Sequence, residues 1–224
     1  MTAGMTSSVV RKTDKDKRRE FVSSLHRLQA DLTGNNAYLA AQARQKLAKL
    51  RRSLAGERQK AEAYDLLFEY DPPLDEVDTW MLVAGLYGLH PVRRPDDSGR
   101  RTIGYAMGEL AIRSAGARGR TSEAVKRRFT QLLSINHTGD ALSHYLRQAV
   151  QLLRSKDVEL DYLRLLEDLL KIRDVRSSNE EAQKVRLEWA RDFYRVIRVA
   201  DTHSQRENDA ADSTNQKEDF SGAL

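Results

Sequence analysis

The sequence predicts an all-α protein: two helical bundles joined by a short glycine-containing linker, followed by a disordered polar C-terminal tail. Three observations carry this reading. Apolar residues recur at spacings of three and four along most of the chain, the period of a helix with one buried face, and no stretch alternates apolar and polar residues as a half-buried strand does. Only 12 of the 224 residues are Gly and 4 are Pro, so long runs pass without a breaker. Hydrophobic residues make up 40% of the chain and charged residues 32%, enough for a real core and for solvated outer faces.

In the first half, Phe21, Leu25, Leu28 and Leu32 mark an amphipathic helix that stops at Thr33-Gly34-Asn35-Asn36. A second helix sets Leu39, Ala43, Leu47, Leu50 and Leu54 on one face and Arg44, Lys46, Lys49, Arg51 and Arg52 on the others, and ends at Gly56. A third spans residues 57–70 with Tyr64, Leu67 and Phe68 facing inward, closed by Pro72-Pro73, neither of which can continue the helical ladder. The next, over residues 75–86, is apolar nearly all round, which makes it the centre of the first bundle. Residues 90–102 turn to Pro, Asp, Ser, Gly and Arg, the chemistry of a surface loop.

A short helix over residues 105–114 precedes Ala115-Gly116-Ala117-Arg118-Gly119, whose glycines suit an interdomain linker. The domains expected are therefore an N-terminal bundle over 14–117, a C-terminal four-helix bundle over 118–200, and a tail over 201–224. The C-terminal bundle has helical patterns at 122–135, 140–153, 160–172 and 180–199, with short connections. Tyr162, Leu163, Leu165, Leu166, Leu169 and Leu170 cover a wide arc of the third, and Val185, Trp189, Phe193, Val196 and Ile197 form the stripe of the fourth. Lys184, Arg186, Arg191, Arg195 and Arg198 of that last helix reach solvent.

Composition limits the chemistry. With no cysteine, disulfides, thiolate metal sites and cysteine nucleophiles are excluded. No phosphate-binding glycine loop, zinc-protease His-Glu pair or serine elbow is present. The five histidines, His26, His90, His137, His144 and His203, form no ligand cluster with nearby carboxylates, and pairs such as Glu167-Asp168 and Glu180-Glu181 read as solvated. The expectation is a non-enzyme without metal, cofactor or small-molecule substrate. The N-terminal residues lack the apolar core of a signal peptide, and the longest apolar run is too short to span a bilayer, so the expected location is the cytoplasm, away from membranes.

The net charge is +5 and the pI about 9.4, and the distribution says more than the total. Beyond residue 200, six acids stand against two bases, leaving the body of the chain more basic than the whole. Residues 100–154 hold ten cations and three acids. The densest part is Glu123-Ala124-Val125-Lys126-Arg127-Arg128-Phe129-Thr130-Gln131-Leu132-Leu133, a helix with Val125, Phe129, Leu132 and Leu133 packed. Arg127 points away from that face, and Lys126 and Arg128 flank it. Arg118 and Arg120 lead into Thr121-Ser122, good N-cap residues, so two guanidiniums lie near a helix N-terminus. A predominance of Arg favours bidentate phosphate contacts. Few aromatics stand among these cations, so the surface is expected to follow a nucleic-acid backbone and ignore sequence. Neutralising about four to six phosphates gives a logarithmic salt slope of roughly −3 to −4 on single strands. A charged outer face is also what any soluble helix carries.

Three stretches in order resemble one family. They are Ser-Glu-Ala-Val-Lys-Arg-Arg-Phe-Thr-Gln-Leu-Leu at 122–133, His-Tyr-Leu-Arg-Gln-Ala-Val-Gln-Leu-Leu-Arg-Ser-Lys at 144–156, and Asp-Tyr-Leu-Arg-Leu-Leu-Glu-Asp-Leu-Leu at 161–170. Together they are similar to the CasB family, the small subunit of the type I-E CRISPR surveillance complex known as Cascade. Trp189-Ala190-Arg191-Asp192-Phe193-Tyr194 looks like that family's closing motif, and Ala48-Lys49-Leu50-Arg51-Arg52-Ser53-Leu54 with Trp80 is similar to its N-terminal half. The resemblance covers roughly residues 20–197.

The resemblance implies an all-helical, non-catalytic subunit present as two head-to-tail copies along an assembly of guide RNA and protein. It implies partners: other Cascade subunits, a second copy of the chain, guide RNA, and target DNA in the form of its displaced single strand. The subunit would hold that strand and help position guide and target, keeping the opened duplex open in antiviral defence. Carried over residue by residue, the nucleic-acid-binding groups are Arg51 and Arg52 in the first bundle and Arg118, Arg120, Lys126, Arg127 and Arg128 in the second. The tail and the loop near Arg93 to Arg101 match nothing in the family and take no role. The alternative is a purely structural scaffold whose basic faces dock neighbouring proteins.

Overall fold

In a computed structural model the chain is described over residues 12–94, 101–115, 121–135, 140–173 and 179–221, and among the described residues every regular element is helical. Two compact units divide the chain, Met1–Arg94 and Pro95–Leu224. The first holds α1 (Asp14–Thr33), α2 (Ala37–Arg52), a 3₁₀ turn (Ser53–Ala55), α3 (Glu57–Glu62), α4 (Tyr64–Phe68) and α5 (Val77–Leu89). The second holds α6 (Ile103–Arg113), α7 (Glu123–Ser134), α8 (Asp140–Ser155), α9 (Tyr162–Arg173) and α10 (Asn179–Ser221).

The first unit is built around α5, in which every residue from Thr79 to Gly88 is buried. An apolar helix with no polar face has no other stable position in water. Trp80, wholly inaccessible, lies with its ring centroid 4.7 Å from that of Phe21 on α1. Its indole N–H donates to Glu76 at 2.9 Å, and Glu76 also accepts from the Arg18 guanidinium of α1. Helix starts follow their caps: Thr13 and Asp16 form a reciprocal capping box on α1, and Asn36 accepts from Tyr38 and Leu39 N–H on α2.

Gly88 is where α2 meets α5. A methyl group there would stand 2.7 Å from Arg51 N and 2.9 Å from Leu47 O, so the absence of a side chain lets the last turn of α2 lie on α5. The expected helix over residues 57–70 is instead two short helices separated at Ala63, which is fully buried. The break turns Phe68 outward, where it is 48% exposed, while Leu67 stays in the core.

The second unit differs from the expected four-helix bundle because α6 belongs to it. The boundary falls at Arg94 rather than near residue 117, for a steric reason: α6 lies on α10 backbone to backbone. A Cβ on Gly104 would sit 1.9 Å from Trp189 O, and one on Gly108 would sit 3.0 Å from Phe193 O. Residue numbers rise together along this contact, so the two helices run in the same direction. Thr102 caps α6 by accepting from Tyr105 N–H, and its hydroxyl donates to Asp192 of α10 at 2.7 Å. Phe129 of α7 stacks on Phe193 of α10 with centroids 4.2 Å apart.

Asp168, read from sequence as solvated, is buried. Its carboxylate accepts from Arg164 Nε at 2.8 Å and from the Trp189 indole N–H at 2.7 Å. Burial pushes the carboxyl above its ordinary range, and these two hydrogen bonds pull it back. The reason for its burial is donor satisfaction: a core indole N–H and a half-buried guanidinium need an acceptor. The α10 element extends to Ser221, and the tail expected over 201–224 begins within it.

These contacts set the expected stability of three variants and one pH dependence. Gly104→Ala meets an immovable carbonyl and should cost about 3 kcal/mol, whereas Gly85→Ala meets only side chains, those of Leu54 and Ser53, and should cost about 1 kcal/mol, both read as shifts in urea midpoint. Asp168→Ala strands two donors and should cost about 3 kcal/mol. Separately from those hydrogen bonds, burial makes the folded state hold the Asp168 proton more tightly than the unfolded state, and the stability gained from this protonation is complete below the unfolded value. It is lost as pH rises through the folded one. Relative to non-titrating Asp168→Asn, the wild type should lose stability as pH rises from about 4, measured by urea midpoints at a series of pH values.

Candidate nucleic-acid interface

On α7 the apolar residues set the orientation of the cations. Val125, Phe129 and Leu132 are buried at helical spacing, which fixes the helix against its unit and turns Arg127 and Arg128 to solvent. Among the described residues neither guanidinium has an acidic partner. Lys126 is different: half-covered, it lies 3.7 Å from Glu123 one turn earlier, so its charge is partly answered locally. Such a pair at a surface is worth well under 1 kcal/mol and yields to a stronger anion. Ser122 stands at the N-cap but its hydroxyl makes no capping bond. Its own N–H instead donates to Ala111 O of α6 at 2.9 Å, which ties the start of α7 to α6.

In the first unit Arg51 and Arg52 end α2, both exposed. Their position follows from the close approach at Gly88, which holds the backbone of Arg51 on α5 while its side chain points away. Arg44, two turns earlier, is exposed on the same side as Arg51, a relation readable from the seven-residue spacing. Lys49, counted among the outer cations of this helix, is engaged: its ammonium lies 2.7 Å from both carboxylate oxygens of Asp65 on α4, and that charge-assisted contact holds Asp65 below the usual carboxylate range. It ties two helices together.

Arg118 and Arg120 lie outside the described residues. The rest of the expected set falls into two groups, Arg51 with Arg52 in the first unit and Lys126, Arg127 and Arg128 in the second. Each group sits on the outer face of a helix whose other face is core. Exposed guanidiniums without acid partners can donate paired N–H groups to phosphate oxygens. Among the described residues no three His, Asp or Glu side chains converge as a metal site, and no helix is long and apolar enough to cross a membrane.

The CRISPR-associated protein Cse2 family model matches residues 46–194, a span that contains all seven expected site residues. Among solved structures, CasB from Thermus thermophilus is 31% identical over 79% of this chain and 97% of its own, with a TM-score of 0.52. M. ruber CasB is 26% identical over 84% of this chain and 98% of its own, with a TM-score of 0.58. A chain of a CRISPR RNA-guided surveillance complex shares the fold at 18% identity, covering 86% of this chain and 99% of its own with a TM-score of 0.61. Among curated proteins none matches the chain. The family match over two thirds of the sequence, with the all-helical fold and the identity to the Thermus protein, shows that this chain belongs to the CRISPR-associated Cse2 (CasB) family.

Proposed function

We propose that this chain is a non-catalytic subunit of a CRISPR RNA-guided surveillance complex of the Cascade type. Its role is to stabilise the opened target by sequence-independent contacts to the displaced DNA strand and to help position guide and target strands. Arg51, Arg52, Arg118, Arg120, Lys126, Arg127 and Arg128 are the binding groups. Its partners are the other subunits of that complex, a second copy of itself, guide RNA and target DNA. The observation that carries the reading is the pair of exposed guanidiniums on α7, Arg127 and Arg128, unanswered by acids and held outward by a buried stripe. Exchange of a DNA duplex for an RNA–DNA hybrid is nearly balanced in energy, so modest backbone contacts are enough to tip it.

A scaffold role is supported by a separate observation in the first unit. Leu74 is 87% and Tyr38 70% exposed, and large exposed apolar side chains suit a protein neighbour. The two roles are compatible, since a subunit that holds a strand must also be held in its assembly.

Titration of labelled single-stranded DNA of unrelated sequences should give similar affinities for all of them. Reversing Lys126, Arg127 and Arg128 to Glu should lower that affinity by at least about tenfold at 0.1 M salt. In the assembled complex Arg127→Glu should weaken target binding while the subunit remains incorporated. Loss of the subunit from the complex with unchanged strand binding would favour the scaffold role instead.

A further inference from the structure

The outer face of α10 presents a surface that the strand-binding reading has not used. Val185, Trp189 and Phe193 are buried, and at 100° per residue the direction opposite that stripe is occupied by Leu187, Arg191, Tyr194 and Arg198. All four are exposed, Leu187 at 66% and Tyr194 at 49%. The Tyr194 ring packs at 90° to the buried Phe193 ring with centroids 5.2 Å apart, so the core fixes its orientation.

Among the described side chains, the acids beside this ridge are already engaged. Glu188 accepts from Arg164 at 2.5 Å, and Asp192 accepts from Thr102 at 2.7 Å and lies 3.4 Å from Arg195. Arg191 and Arg198 have no acidic partner among the described residues. The ridge is therefore an anchored aromatic ring between two unanswered guanidiniums. Arg191 and Arg198 are separated along the helix by about 10 Å, the length of three nucleotides at the ~3.4 Å spacing of a stacked strand. Cationic groups beside a stacking ring are the elements of sequence-tolerant single-strand binding, and α7 supplies only the cations.

We propose that this ridge is a second single-strand contact, in which a base stacks on Tyr194 and the flanking phosphates are held by Arg191 and Arg198. The inference rests on the strand-binding role proposed above and adds a stacking platform to it. The charge favours a nucleic-acid occupant over an apolar protein surface.

The test uses the full chain and a single-stranded DNA containing 2-aminopurine, whose fluorescence is quenched on stacking. The wild type should quench the probe, and Tyr194→Phe should quench it equally. Tyr194→Leu should abolish the additional quenching and weaken binding about tenfold, and Arg191→Gln with Arg198→Gln should weaken binding while leaving the helix content intact. If the α7 charge reversal abolishes binding but the Tyr194 and Arg191/Arg198 variants change nothing, the ridge is not a strand contact, while the role of α7 stands. If Tyr194→Leu instead releases the chain from its protein assembly with strand binding unchanged, the ridge is a protein interface and the inference is overturned. Failure of the wild type to bind the probe overturns both readings.

Discussion

In the second unit, α6 lies on α10 so closely that Gly104 has a carbonyl oxygen where a methyl group would be, and the rest of that unit is arranged around the contact. α7 begins from a hydrogen bond to Ala111 on α6 and stacks Phe129 on Phe193 of α10, so its orientation is set by two helices whose spacing glycine determines. Helices with ordinary side chains at their crossing keep their axes 8–10 Å apart, and small residues set the lower end of that range. Were α6 displaced outward, the buried stripe of α7 would lose its seat and the direction of Arg127 and Arg128 would no longer be fixed. The cations are a surface feature, but their presentation depends on this contact.

Each unit also solves the same problem of a buried tryptophan in the same way. Trp80 donates to Glu76, which accepts from Arg18; Trp189 donates to Asp168, which accepts from Arg164. An indole N–H in the core requires an acceptor, a carboxylate there requires a counter-charge, and an arginine at the edge of the core supplies it. The arrangement contributes little net stability compared with apolar packing, yet removal of any one member leaves buried groups unpaired. It therefore favours one helix register over its neighbours. In the first unit the register so favoured is that of α1 on α5, and in the second that of α9 on α10.

Much of this was legible in sequence. The period of three and four placed α1, α2, α7, α9 and α10 with their buried faces, because an amphipathic stripe and a core face are the same fact seen twice, and α5 was placed by being apolar nearly all round. The direction of Arg127 and Arg128 followed from Val125, Phe129 and Leu132. What was not legible depends on contacts between distant segments. Gly104 and Gly108 look like weak points in a helix until α10 is placed against them, and so α6 was assigned to the wrong side of the boundary. Ala63 carries no breaking signal, and its helix break exposes Phe68. Asp168 resembles any solvated acid, although Arg164 four residues before it and a tryptophan in the next helix were the available clues. Tyr194 was read as part of a closing motif, and its role as an exposed ring between cations emerges only when the buried stripe of α10 is known.

The central claim is that a packed helical scaffold presents unpaired cations to a phosphate backbone. The salt dependence of single-strand binding tests it most directly, because each cation that neutralises a phosphate contributes about −0.7 to the logarithmic slope. The full chain should show a slope of roughly −3 to −4, and replacing Arg127 and Arg128 by Gln should make it shallower by about 1.4. A slope near zero, or one that those two substitutions leave unchanged, would contradict the account.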